Sequence, residues 1–113
     1  MKKFFVLYKA PVEEFQKAIT QWTGEEREAS MKEWKDWMMK HKAELVDGGA
    51  PVGKTKQVTR TGTTDIKNDI GGYSIVQAES HDAATKIFTD SPHLMRMNGS
   101  IEVMEIMEMG VKQ

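Results

Sequence analysis

The chain of 113 residues has no cysteine. Disulfides, thiolate nucleophiles and cysteine-bound metal are therefore excluded, and this residue usage leads us to expect a reducing compartment, the cytoplasm. Neither charge is in surplus, since 16 Lys and Arg stand against 17 Asp and Glu for a net charge of −1. A protein that grips nucleic acid through phosphates needs a basic surface, so no nucleic-acid partner is expected. Long apolar runs are missing too. The longest, Phe4-Phe5-Val6-Leu7-Tyr8, falls far short of the ~20 residues of a membrane span, and neither a membrane partner nor a signal peptide is expected. Histidine occurs only at His41, His81 and His93, too scattered for a metal-ligand motif. Gly71-Gly72 lacks the flanking signature of a phosphate loop. With no internal repeat, the length fits a single domain over residues 1–113.

What is present is a series of local signals. Lys3 to Lys9 reads as a strand with Phe4, Val6 and Tyr8 on one face and Phe5 and Leu7 on the other, apolar on both sides. Pro11 ends it, and Val12–Thr20 reads as a short helix or structured loop with a stripe of Val12, Phe15, Ile19 and Trp22. Thr23-Gly24-Glu25-Glu26 and Ser30-Met31-Lys32-Glu33 both resemble capping boxes. A longer helix starts at one of them and runs to about Glu44, with Met31, Trp34, Met38, His41 and Leu45 as its stripe. Asp47-Gly48-Gly49 reads as its left-handed stop. Ala50–Thr61 reads as one irregular strand or hairpin arm, Gly62–Asn68 as loop, and Tyr73–Ala78 as a strand. Ser80 is a natural N-cap for a helix ended by Asp90-Ser91-Pro92, and Ile101–Met107 closes the chain as a last strand.

The order β-α-β-β-α-β is the ferredoxin-like split βαβ pattern: an α+β fold with an antiparallel sheet and both helices on one face. The first and last strands carry apolar residues on both faces, however, and an uncovered apolar sheet face usually marks an interaction surface. The expectation is a homodimer packed sheet to sheet, a dimeric α+β barrel. The alternative is a monomer whose Val12–Trp22 segment folds over the bare face.

Several stretches together resemble a known family. Ile70-Gly71-Gly72-Tyr73 through Glu79-Ser80 looks like a GGY strand entering a helix, followed by His81-Asp82-Ala83-Ala84. Ser91-Pro92-His93-Leu94 and Gly99-Ser100-Ile101-Glu102-Val103 match the family's late motif, and Trp37–Gly49 is similar to its first helix and turn. This is the YCII-related family, which includes the DGPF-domain proteins. The resemblance implies a ferredoxin-like dimeric barrel, and the family's few assigned activities are eliminations or proton transfers on small ring compounds. The chain departs from the enzyme-like branch. Glu28-Ala29-Ser30-Met31-Lys32-Glu33 holds no His, Ser91 precedes Pro92 where that branch has Asp, and Thr64-Asp65-Ile66-Lys67 stands near where Asp-Gly-Pro-Phe would fall.

Among residues able to carry chemistry, His93 leads. It follows Pro92 near the sheet end, can act as acid or base near neutral pH, and has Asp90 close enough in sequence to orient it. The competing reading is a His bonded to a backbone carbonyl. His41 lies on the helix stripe and lines either a pocket or the core. Glu105 interrupts an apolar strand face, so it is either paired with a Lys or Arg or set in a pocket. Tyr8, Trp34 and Met38 complete a candidate ligand pocket between the sheet and the first helix. The methionines, among them Met38, Met39, Met95, Met97, Met104 and Met107, read first as filling for the core and seam. No cofactor and no metal are expected. Three functions follow: a small-molecule-binding module, a cofactor-free enzyme of proton transfer or elimination on a small ring compound using His93, or a dimeric scaffold or regulatory protein.

Overall fold

The structure, a computed structural model, describes residues 1–96 and 98–107, apart from the side chains of Ile19, Met95 and Arg96. The expectations for Met97, for the side chains of Met95 and Ile19, and for the strand residue Glu108 lie outside the described residues. The elements are β1 (Lys2–Lys9), α1 (Val12–Thr20), α2 (Gly24–Lys40), β2 (Leu45–Pro51), β3 (Thr55–Thr59), β4 (Gly62–Ile66), β5 (Ile70–Ala78), α3 (His81–Lys86), α4 (Pro92–Arg96) and β6 (Ser100–Glu105). Four strands form an antiparallel sheet in the order β2-β5-β1-β6, and β3 pairs with β4 in a separate hairpin. The fold is thus mixed α+β.

Local chemistry accounts for most boundaries. Of the two candidate capping boxes, Thr23 is used: its Oγ1 accepts from the Glu26 N–H at 3.1 Å, and the Glu26 carboxylate accepts from the Thr23 N–H at 3.2 Å. Ser80 caps α3 by accepting from the Ala83 N–H at 3.1 Å. Such caps satisfy donors a helix end otherwise leaves open and are worth about 1 kcal/mol each.

Besides Ala50–Thr61, which is divided between the end of β2 and β3, and the last strand, which ends at Glu105 and not Met107, two segments differ from the sequence reading. α2 ends at Lys40, with His41 as its C-cap, so Asp47-Gly48-Gly49 does not stop it. Those residues form an irregular stretch inside β2, where the pairing register with β5 shifts twice. Asp47 Oδ1 accepts from the Gly49 N–H at 2.8 Å, and Gly49 takes a positive φ of 74°. A Cβ there would fall 1.6 Å from the Tyr73 carbonyl oxygen, so only glycine fits. The second difference is Gly62–Asn68, read as loop, most of which is strand β4. Every residue of β3 and β4 is exposed except Thr55 and Ile66, so this hairpin has no buried face to imprint a period on its sequence.

The core lies on one side of the sheet. Phe4, Val6 and Tyr8 of β1 and Val76 and Ala78 of β5 meet Trp37 of α2, Ala84 of α3, and Ile87 and Phe88 just beyond it. Burying a large apolar side chain contributes about 1.5–3 kcal/mol, so this cluster carries most of the stability. Ile101 and Val103 of β6 extend it. The opposite face carries Phe5, Leu7, Tyr73 and Ile75, each half-buried, with the Phe5 and Tyr73 rings 6.0 Å apart. Met104, paired with Phe5 across β1 and β6, lies on that face 40% exposed. Among the described residues, no helix is long and apolar enough to cross a membrane.

Candidate functional site

A cavity of about 1460 Å³ opens where the end of β1 and the start of β5 meet α1, α2, β2 and the root of the β3–β4 hairpin. Its walls include Tyr8, Phe15, Trp34 and Met38, with His93 at one side. Compact ligand pockets hold about 300–1,000 Å³, so this space is roomy and open to solvent. Met31, Met38 and Met39 also line it and are 71%, 37% and 65% exposed. The α2 methionines therefore form a pliable wall and not core filling. The inward side of α2 is Trp37, which is 5% exposed, with Trp34 beside it.

Tyr8 is the last inward residue of β1 and belongs to core and cavity at once. Trp34 meets it edge to face at 5.1 Å and 89°, and His93 at 5.7 Å and 64°. Beneath it, the Ser74 hydroxyl donates to the Gly48 carbonyl at 3.0 Å, which leaves the Tyr8 hydroxyl to donate to Ser74 Oγ at 2.9 Å. Burial pushes the Tyr8 phenol up to about 12, although the bond to Ser74 pulls the other way. Tyr8 thus stays a neutral donor engaged below the cavity floor. The irregular stretch of β2 matters here, since it contains the Gly48 carbonyl that anchors Ser74.

His93 sits in α4, 5% exposed. Its Nε2 donates to the Lys9 carbonyl at 2.7 Å, because a carbonyl can only accept. Nδ1 is then left to exchange a proton. Gly99 makes this approach possible, since a Cβ there would lie 2.6 Å from His93 Nε2 and 2.4 Å from the Lys9 oxygen. The backbone-bonded histidine weighed from the sequence is therefore present, in a residue that also lines the cavity.

Asp90 is not placed as the partner of His93. Its carboxylate accepts from Trp37 Nε1 at 3.0 Å, from Lys40 Nζ, and pairs with His41 Nε2 at 3.3 Å. The Lys40 ammonium is the main reason its carboxyl falls to about 2; burial opposes this, and Trp37 and His41 add to it. Asp90 thus ties the segment after α3 to the end of α2. His41 faces this cluster, its ring 5.0 Å from Trp37, and does not line the cavity. Glu105 is not a cavity residue either. It lies at the far end of β6, paired with Lys2 at 3.5 Å, in the ion pair weighed from the sequence. Of the residues expected in the pocket or as the catalytic pair, Tyr8, Trp34, Met38 and His93 line the cavity, and His41, Asp90 and Glu105 do not. His81, given no role from the sequence, donates from Nε2 to the Val103 carbonyl at 2.7 Å and ties α3 to β6.

Sequence reasoning missed Phe15 and Ser74, and the lysines around the cavity mouth. Phe15 was visible as part of a helical stripe, but only the fold turns that stripe to the cavity. Ser74 had no local signal, since it is an inward strand position whose partners lie on other strands. Among the described residues, no three His, Asp or Glu converge as a metal site would require.

A sequence model of the YCII-related domain matches residues 3–110. The chain belongs to the YCII-related family. No curated protein matches the sequence. Among solved structures, this YCII-related chain is similar to 5-chloro-2-hydroxyhydroquinone dehydrochlorinase from Burkholderia phenoliruptrix, determined in complex with 2,5-dihydroxybenzoquinone. The TM-score is 0.53 at 17% identity, covering 88% of this chain and 90% of that one. At that identity the likeness speaks to the fold: an α+β chain with an antiparallel sheet.

Proposed function

We propose that this YCII-related protein binds a planar ring compound in the cavity between the sheet and the helices α1 and α2, and does so as a homodimer. The observation that carries the binding reading is the wall itself, with Tyr8, Phe15 and Trp34 as rings and Met38 as an adaptable neighbour around one open space. The structural neighbour with a bound dihydroxybenzoquinone supports a ligand of this size and shape. The sheet order β6-β1-β5-β2, with β3–β4 as an insertion, is compatible with a ferredoxin-like unit. The apolar face of Phe5, Leu7, Tyr73, Ile75 and Met104 supports sheet-to-sheet pairing into a dimeric barrel. A cytoplasmic location belongs to the same reading and rests on the cysteine-free sequence.

A second reading makes the protein a cofactor-free enzyme of proton transfer or elimination. One observation favours it: His93 lines the cavity with Nε2 engaged, leaving Nδ1 as the one ring atom free to serve as base. Asp90 takes no part in this version.

Isothermal titration calorimetry with 2,5-dihydroxybenzoquinone and 2-naphthol tests the binding reading. At least one should saturate with Kd below about 1 mM and bind several-fold more weakly to Trp34→Ala. If neither saturates, the cavity is not a ring-compound site.

A further inference from the structure

The charges around the cavity are one-sided. Lys32, Lys35, Lys42, Lys54 and Lys67 line it against a single acid, Glu28. The whole chain is nearly balanced, with 16 basic and 17 acidic residues, so this lining is a local concentration of positive charge. Lys32 is occupied by Asp36 at 3.0 Å. Lys35, Lys42, Lys54 and Lys67 make no ion pair among the described residues.

The four unpaired lysines come from two separate walls. Lys35, Met38, Met39 and Lys42 follow helical spacing along α2 and the turn beyond it, so ammonium groups and thioethers share one side. Lys54 and Lys67 flank the β3–β4 hairpin, one just before β3 and one just after β4. The positive charge therefore comes from two separate elements of the lining, in a cavity that also holds aromatic rings. Lysine stems can also lie along an apolar ligand while their ammonium groups stay in water. A cavity with an excess of one sign of charge over low-dielectric walls concentrates field and raises the local concentration of the opposite charge.

We propose that the cavity selects an aromatic anion, a planar ring bearing a carboxylate, phenolate or comparable acidic group, with its ring among Tyr8, Phe15 and Trp34 and its charge toward Lys35, Lys42, Lys54 and Lys67. This rests on the binding reading above and adds the charge of the ligand. Neutral rings of the same shape enter more weakly, and cationic ones are repelled.

Calorimetry with 2-naphthoate and 2-naphthamide, equal in shape and different in charge, tests it. At low ionic strength naphthoate should bind roughly tenfold more tightly, and at about 1 M salt the two should converge as the charges are screened. Lys54→Glu/Lys67→Glu should remove the preference for naphthoate over the amide. Lys35→Ala/Lys42→Ala probes the other wall with two exposed positions and should reduce the preference on its own. Equal affinities at low salt, or a preference that salt does not change, overturns the anion proposal and leaves ring binding in place. Binding of neither compound overturns the anion proposal, and overturns ring binding with it if 2,5-dihydroxybenzoquinone and 2-naphthol also fail to saturate.

Discussion

The Tyr8–Ser74–Gly48 chain invites a test in which one substitution has opposite signs in two backgrounds. In the native protein, Tyr8→Phe removes a hydrogen bond of 2.9 Å to Ser74. Ser74 keeps its bond to the Gly48 carbonyl, so the loss is about 0.5–1.5 kcal/mol. Ser74→Ala is worse. It leaves the hydroxyl of Tyr8, a residue 5% exposed, without an acceptor, and takes the donor from Gly48, which is only half-buried. An orphaned buried group costs about 1–3 kcal/mol, so about 2–3 kcal/mol is expected in total. Adding Tyr8→Phe to Ser74→Ala then removes the orphaned hydroxyl and should restore about 1–2 kcal/mol. The measurement is urea unfolding of all four proteins at one protein concentration, since any dimer makes stability concentration-dependent. If Tyr8→Phe destabilises the Ser74→Ala protein as it does the wild type, cavity water reaches the hydroxyl and the sealed floor is wrong.

The same residue gives a pH signature with a fixed sign. The Tyr8 phenol is raised from 10.0 to about 12. A folded-state value above the unfolded one gives a contribution that is fully present below pH 10 and is lost as pH rises toward 12. Two units correspond to about 2–3 kcal/mol. Wild type should therefore be the more stable protein at pH 7, and Tyr8→Phe should overtake it above about pH 11. Parallel stability curves for the two proteins between pH 9 and pH 12 would refute the burial argument.

Two further perturbations probe other parts of the fold. The Asp90 carboxyl is lowered from 3.8 to about 2, so its contribution is present above pH 4 and lost as pH falls toward 2. With the side chain 42% exposed, solvent screening reduces this to about 1 kcal/mol. Wild type and Asp90→Asn should converge in unfolding experiments between pH 5 and pH 2, and a constant gap would show that its charge contributes nothing. Met104→Asp puts a charge on the apolar sheet face opposite the core and should turn the proposed dimer into a monomer by size exclusion with light scattering. A mutant that stays dimeric moves the seam elsewhere, and a wild type monomeric at micromolar concentration removes it.

Features encoded within a few residues were legible in the sequence. The Thr23 and Ser80 caps each need a hydroxyl and an N–H three residues on, and α1 shows itself by an apolar stripe after Pro11. β1 and β5 show themselves as short runs rich in aromatic and branched apolar residues, and their burial alternates because one face meets the core. β4 was hidden because nearly all of its hairpin faces solvent, and residues that touch only each other need no period. The pair of glycines after Asp47 misled because a positive φ serves an irregular strand as well as a helix stop. Tyr8, Trp34, Met38 and His93, which line the cavity, stand out in the sequence because each is an unusual residue at the end or on the stripe of a recognisable element. Asp90 lies close to His93 in sequence, but the fold pairs it with His41. Its three partners lie on and beside the end of α2, about 50 residues earlier.

The division along β1 limits what kind of chemistry the cavity can support. Phe4 and Val6 are fully buried, and Tyr8, the next inward residue, ends the core and begins the cavity. Its hydroxyl is directed into Ser74 and Gly48, so it contributes a ring face to the ligand and no proton. His93 Nε2 is likewise engaged by Lys9, which leaves Nδ1 as the ring nitrogen able to meet a bound ring, beside the lining lysines, Glu28 and the neutral polar side chains of Gln16, Ser30, Thr55 and Asn68. An enzyme reading built on the histidine therefore depends on one nitrogen atom. A binding reading needs only the rings and the charge above them, so His93→Gln separates the two. It should abolish turnover if Nδ1 is the base, and leave ligand affinity within a few-fold if the cavity only binds.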